Sequence, residues 1–236
     1  MKLIIGNLKM NFNGDEVNNY IQFFKNKHYD NVYFAPSNIY LSKFIDNGLH
    51  CVSQDVSPFE NGSHTGDVSC MQLKSIGINY SLVGHSERRK NYGDGKWVNA
   101  KVKALLMHGM IPVICIGENS DERNQNKTIE VLKKEIEDAF SNIDNQDLNG
   151  IIIAYEPVWA IGTGKIPTMD EIREVASFIK NFIQEKYSFE SKVLYGGSVN
   201  NDCINSLETI DNIDGYLVGG CSLKYEEFDK LINKIS

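Results

Sequence analysis

One carboxylate stands directly after a wholly apolar run: Glu156 follows Ile151-Ile152-Ile153-Ala154-Tyr155. If that run is a strand, alternation puts Glu156 on the face of Ile152 and Ala154, at the strand tip. A solvated face explains this position poorly, and a general base explains it well. The same alternation groups Ile5, Asn7 and Lys9, so an inward Ile5 brings Lys9 out beside it, although a lone lysine after a strand is usually a solvated end residue. Alternation also groups Ser81, Val83 and His85, with His85 leading into Ser86-Glu87-Arg88-Arg89. A helix beginning there disfavours an imidazolium and leaves a neutral ring able to donate a hydrogen bond. Taken alone, His85 reads equally well as a histidine satisfied by local backbone.

Two glycine pairs add an anion site. Gly196-Gly197-Ser198 and Gly219-Gly220 each follow an apolar run, where backbone N–H groups can approach a phosphate closely. Either pair alone is explained by a turn; together they favour phosphate. The stretch from Pro157 through Trp159, Gly162 and Gly164 to Lys165 mixes glycines with apolar residues, the composition of a lid. Gly162-Thr163-Gly164 lacks the third glycine of a dinucleotide fingerprint, and Gly164-Lys165-Ile166 lacks the rest of a P-loop. The five histidines show no H-x-x-x-H spacing, so neither a metal nor a cofactor is implied. A base, a neutral donor, a cation and a phosphate cradle suit proton abstraction beside a carbonyl.

These residues need a frame. Short apolar runs at 3–5, 32–35, 49–52, 80–83, 113–116, 151–155, 193–195 and 213–218 read as buried parallel strands. Helical periodicity separates them, clearest in Val17, Tyr20, Ile21 and Phe24, in Ile172, Val175, Ala176, Ile179 and Ile183, and in Phe228, Leu231, Ile232 and Ile235. It is weakest after the third and seventh runs. Thr168 to Glu171 fits a capping box, and Asn47-Gly48 a tight turn. Alternating strands and helices allow a doubly wound sheet or a closed barrel. Polar residues at the ends of the first and last strands favour the barrel, because only closure makes those strands neighbours.

A length of 236 residues predicts one domain over 1–236, a closed eight-stranded parallel (β/α)8 barrel of the α/β class. Acidic residues outnumber basic ones 31 to 24, for a formal charge of -7, which argues against nucleic acid or an anionic membrane as partner. No apolar segment is long enough to span a membrane, and the N-terminus does not read as a secretory signal. Five cysteines without C-x-x-C pairing read as reduced thiols, and a cytoplasmic location is expected.

Five blocks, Gly6-Asn7-Leu8-Lys9, Gly84 to Arg89, Tyr155 to Gly164, Tyr195 to Ser198 and Val218 to Gly220, resemble those of the triosephosphate isomerases, in family order and over essentially the whole chain. The resemblance implies cofactor-independent interconversion of dihydroxyacetone phosphate and D-glyceraldehyde 3-phosphate through an enediol. It implies Glu156 as the base, His85 as the neutral electrophile and Lys9 as the balancing cation. Asn7 would help to place Lys9 and the substrate, while Gly162, Ser198, Gly219 and Gly220 hold the phosphate. A base working with a neutral histidine under a closing loop is a known pattern for this family. Thr65-Gly66-Asp67 resembles the loop that enters a partner subunit and implies a homodimer. Departures are His64 for an aromatic residue, Asp67 for glutamate, Cys221 for alanine and a shortened segment after Arg89. The alternative is a noncatalytic phosphate-binding barrel; retention of Lys9, His85 and Glu156 speaks against it.

Overall fold

A computed structural model of the chain describes residues 1–161 and 166–235. Seven strands are formed: β1 (Leu3–Asn7), β2 (Val32–Ala35), β3 (Tyr80–Val83), β4 (Ile111–Ile116), β5 (Ile152–Tyr155), β6 (Lys192–Tyr195) and β7 (Gly215–Val218). They make one parallel sheet in the order β2-β1-β7-β6-β5-β4-β3. The first and last strands are neighbours, with Ile4 opposite Tyr216 and Gly6 opposite Val218. That adjacency is the one the polar strand ends call for.

The expected strand at 49–52 differs. It makes only isolated parallel bridges, Phe34 to Cys51 and Ser53 to Ser81, one to each edge of the sheet. Each edge receives two backbone bonds: the Phe34 and Val52 N–H groups donate to His50 and Phe34 carbonyls, and the Ser53 and Leu82 N–H groups donate to Tyr80 and Ser53 carbonyls. The pairing stops there because a side chain takes over. The Gln54 amide donates to the carbonyls of Ala35 and Lys9, both at 2.8 Å, so the next rung is not a backbone one. At the other end the chain enters through the Asn47-Gly48 turn, with Gly48 at φ +76°.

Strand alternation divides the core in two. Ile5, Ala35, Val52, Leu82, Val113, Cys115, Ile152, Ala154, Leu194 and Leu217 pack together on one face. The opposite face meets the helices in a larger cluster that includes Tyr20, Phe24, Phe34 and Phe228. Helix Gly14–Phe24 is capped by Asn13 and buries the four residues of its apolar stripe, Val17, Tyr20, Ile21 and Phe24. Helix Met169–Tyr187 opens on the Thr168 to Glu171 capping box and buries Ile172, Val175, Ala176, Ile179 and Ile183. Helix Tyr225–Ile232 buries Phe228, Leu231 and Ile232, whereas Ile235 lies past its end. The two stretches of weakest periodicity form the short helices Cys70–Ser75 and Ile204–Leu207. Among the described residues no helix is long and apolar enough to cross a membrane.

Candidate active site

The C-terminal strand ends surround a cleft of about 400 Å³ whose walls include Asn7, Lys9, His85, Glu156, Ser198, Gly219 and Gly220. That volume suits a small ligand. Every site residue chosen from the sequence lines this cleft except Gly162, which lies outside the described residues together with the rest of the lid reading at 163–165.

Asn7 and Lys9 form one unit at the end of β1. The Lys9 backbone is left-handed, φ +52°, a conformation that costs energy for any residue but glycine. Three hydrogen bonds hold it. The buried Asn7 side-chain oxygen Oδ1 accepts the Lys9 N–H at 3.1 Å, and the Lys9 main-chain carbonyl accepts from the Ser37 hydroxyl at 3.1 Å and from Gln54. The ammonium pairs with Glu87 at 2.5 Å, on the helix that follows β3.

His85 reaches the cleft by a route that alternation does not describe. Leu82 belongs to the inner cluster and Val83 to the outer one, so an unbroken strand would carry His85 outward with Val83. Gly84 corrects this. Its φ of +71° turns the chain through the left-handed region, and a Cβ there would fall 2.9 Å from both Arg89 and Val98. His85 then caps helix Ser86–Tyr92, accepting the Glu87 N–H on Nδ1 at 3.2 Å, while Nε2 lies 3.3 Å from Glu156 Oε1. Acceptance on Nδ1 assigns the neutral tautomer with its proton on Nε2, facing the carboxylate. Burial works against the imidazolium, but the Glu156 carboxylate outweighs it and the pKa is raised. The helix N-terminus that was expected to keep the ring neutral is therefore opposed by a stronger neighbour.

Glu156 is buried, and its N–H donates to the Ile116 carbonyl at 2.8 Å. Its Oε2 has no hydrogen-bond partner among the described residues. Gly196 makes room for it: a Cβ at that position would stand 2.7 Å from Glu156 Cγ. The first glycine pair thus admits the carboxylate as well as lining the cleft. Ser198 donates its hydroxyl to the Ala160 carbonyl at 3.1 Å, and Gly219 leads into the tight turn Gly220–Leu223. Nothing lies within 4 Å of a Cβ built on Gly220, so the floor is open there.

Two acidic residues escaped the sequence reading. Glu87 holds Lys9, a long-range pairing that no local pattern reports. Glu118, fully buried, accepts from Trp159 Nε1 at 2.7 Å and from the Tyr155 hydroxyl at 3.3 Å, and the Arg123 guanidinium lies 4.0 Å above the Trp159 ring. The rule that finds Glu156, a carboxylate just past an apolar run, also finds Glu118 past the run 111–117. Among the described residues no group of His, Cys, Asp and Glu is arranged to hold a metal ion. What faces the cleft is a carboxylate oxygen, an imidazole N–H and an ammonium, which can together remove a proton beside a carbonyl and balance the oxyanion that results.

Comparison with known proteins points to one family. The family model described as "Triosephosphate isomerase" matches residues 2–235. A protein of that name from Mycoplasmopsis pulmonis is 39% identical over 245 aligned residues, covering 98% of this chain and 96% of its own length. One from Alkaliphilus oremlandii is 40% identical over 194, covering 80% and 78%. One from Francisella tularensis subsp. novicida is 34% identical over 244, covering 99% and 96%.

Proposed function

The chain belongs to the triosephosphate isomerase family, and from that premise we propose that Glu156 is the base, His85 the electrophile and Lys9 the balancing cation. The enzyme interconverts dihydroxyacetone phosphate and D-glyceraldehyde 3-phosphate. One observation carries the assignment: Glu156 is buried in the cleft with one oxygen 3.3 Å from His85 and the other without a partner among the described residues. The free oxygen takes a proton from the carbon beside the carbonyl, and the electrons of that C–H bond form the enediolate double bond. His85 Nε2–H donates to the developing oxyanion, with the Lys9 ammonium offsetting its charge. His85 passes the hydroxyl proton from one oxygen to the other, so the second carbonyl forms as Glu156 returns its proton to the neighbouring carbon. Once Glu156 is protonated, the influence that raised His85 is gone. Burial and Lys9 both act against the imidazolium, which favours the neutral ring as electrophile. Phosphate is held by backbone at Gly219 and Gly220 and by the Ser198 region, on the opposite wall, and by backbone at Gly162, which lies outside the described residues.

The frame is read in the same way. Residues 50–53 serve as the eighth stave of a closed (β/α)8 barrel that makes residues 1–236 one domain. Their bonds to both sheet edges and the place of Val52 in the inner cluster support it. The Thr65-Gly66-Asp67 loop docks on a second copy, giving a homodimer. Support comes from a preformed exposed tip: Asp67 is tied to the Ser57 hydroxyl at 2.7 Å, and His64 stacks on Phe59 with ring centroids 3.9 Å apart. Five unpaired cysteines suit a reducing cytoplasm.

A coupled assay with glyceraldehyde 3-phosphate tests the base. Glu156→Gln lowers kcat by roughly 10² to 10⁴, the usual share of a general base, with KM changed far less. A folded Glu156→Gln protein with unchanged kcat removes Glu156 from the mechanism.

A further inference from the structure

One part-buried ion pair has no role in the proton transfer, yet it ties together the chain segments on which the imidazole and the base stand. Arg89, on helix Ser86–Tyr92, donates Nε to the Gly84 carbonyl at 2.6 Å and Nη2 to the Cys115 carbonyl at 3.1 Å. Its Nη1 lies 3.3 Å from Glu135 Oε1. Glu135, on helix Thr128–Phe140, accepts the Gly117 N–H on its other oxygen at 2.9 Å.

Both backbone targets adjoin the reacting groups. Gly84 immediately precedes His85. Gly117 lies so close to the base that an added Cβ would stand 1.8 Å from the Glu156 carbonyl oxygen, and its neighbour Ile116 accepts the Glu156 N–H. One guanidinium and one carboxylate therefore satisfy three main-chain groups just beyond the last β3–β4 pair, Val83 with Ile114. An apolar pair would leave those groups unpaired, which gives the ion pair a positional reason to be there.

We propose that Arg89 and Glu135 are positioning residues for the isomerisation: by clamping Gly84 and Gly117 they set the separation of His85 and Glu156. The clamp rests on the roles given above to those two residues. Neither clamp residue lines the cleft. The clamp therefore acts on the chemical step rather than on substrate binding.

Steady-state kinetics with glyceraldehyde 3-phosphate test it, on variants shown to be folded by circular dichroism. Glu135→Ala releases Gly117 and leaves Arg89 unpaired, and kcat falls roughly 10- to 100-fold, the cost of a misplacement approaching 1 Å. KM stays within roughly twofold, since uniform binding is untouched. Glu135→Gln, which keeps an oxygen for the Gly117 N–H, recovers most of the lost kcat. If Glu135→Ala does not fold, Glu135→Asp, too short to reach Gly117, carries the same expectation. A folded variant with unchanged kcat, a rise in KM alone, or a loss that glutamine does not restore overturns the clamp. Glu156→Gln is measured alongside. Unchanged kcat there overturns the base assignment and the clamp with it, whereas a loss there with none in Glu135→Ala overturns the clamp alone.

Discussion

The two walls of the cleft work by different means. At the ends of β1, β3 and β5 side chains line the cleft: Lys9, held by Ser37 and Gln54, His85, held by the Glu87 N–H, and Glu156, whose N–H donates to the Ile116 carbonyl. At the ends of β6 and β7 the wall is main chain, Gly196 to Ser198 and Gly219-Gly220, where the absence of side chains is the useful property. A side-chain wall can move protons but demands exact placement, and it has a left-handed lysine and a left-handed glycine to achieve it. A main-chain wall only has to present N–H groups and leave space. Substitutions on the first wall should change kcat, and those on the second KM.

The largest effect that separates the walls is expected at His85. His85→Ala removes the Nε2–H donor, and kcat should fall roughly 10²- to 10³-fold, as when one oxyanion donor is lost, with KM nearly constant. A pure KM effect in steady-state kinetics would erase the distinction. Gly220→Ala tests the other wall. A Cβ there meets no protein atom within 4 Å and φ is not positive, so the fold should tolerate it and the methyl should crowd only the ligand. KM should rise by the equivalent of about 1–3 kcal/mol, the usual cost of overpacking, with kcat nearly unchanged. A fall in kcat alone would mean that this wall also takes part in the chemistry.

The smallest effect concerns the second buried carboxylate beside the catalytic wall. Glu118 has partners for its oxygens where Glu156 leaves one free. Burial raises the Glu118 pKa above its ordinary 4.5, against the lowering influence of Trp159, Tyr155 and Arg123. A raised carboxylate pKa adds stability that is fully present below the unfolded value and is lost as pH rises through the folded value. The stability of the unmodified protein relative to Glu118→Gln should therefore decline from about pH 4.5 upward. Urea unfolding of both proteins between pH 4 and 7 reads this directly, and a difference that grows with pH would reverse the sign. Glu118→Gln should also retain far more activity than Glu156→Gln.

How far each part could be read from the sequence follows from how local its cause is. Glu156 was legible because a carboxylate at the tip of an apolar strand violates the pattern around it. His85 was placed in the site by a parity argument that fails at Val83; Gly84 turns the chain, and a glycine's φ cannot be read from alternation. The helix caps and stripes were legible because capping and periodicity act within a few residues, as at Thr168 and Phe24. Pairing at 49–52 was overestimated because Gln54, a residue just beyond the apolar run, ends the ladder with its side chain. Arg89 with Glu135 and Lys9 with Glu87 are separated by 46 and 78 positions, and no local pattern encodes a partner so distant.

The central claim is that Glu156 carries the proton between adjacent carbons of the triose phosphate. Proton NMR of dihydroxyacetone phosphate incubated with the enzyme in D₂O tests it, because a carboxylate that has taken the substrate proton can exchange it with solvent before returning it. The unmodified protein should introduce deuterium at the carbon bearing the transferred hydrogen, and Glu156→Gln, folded and still binding inorganic phosphate, should introduce it at least roughly 10² times more slowly. Deuterium entering at the same rate in both proteins would contradict the account.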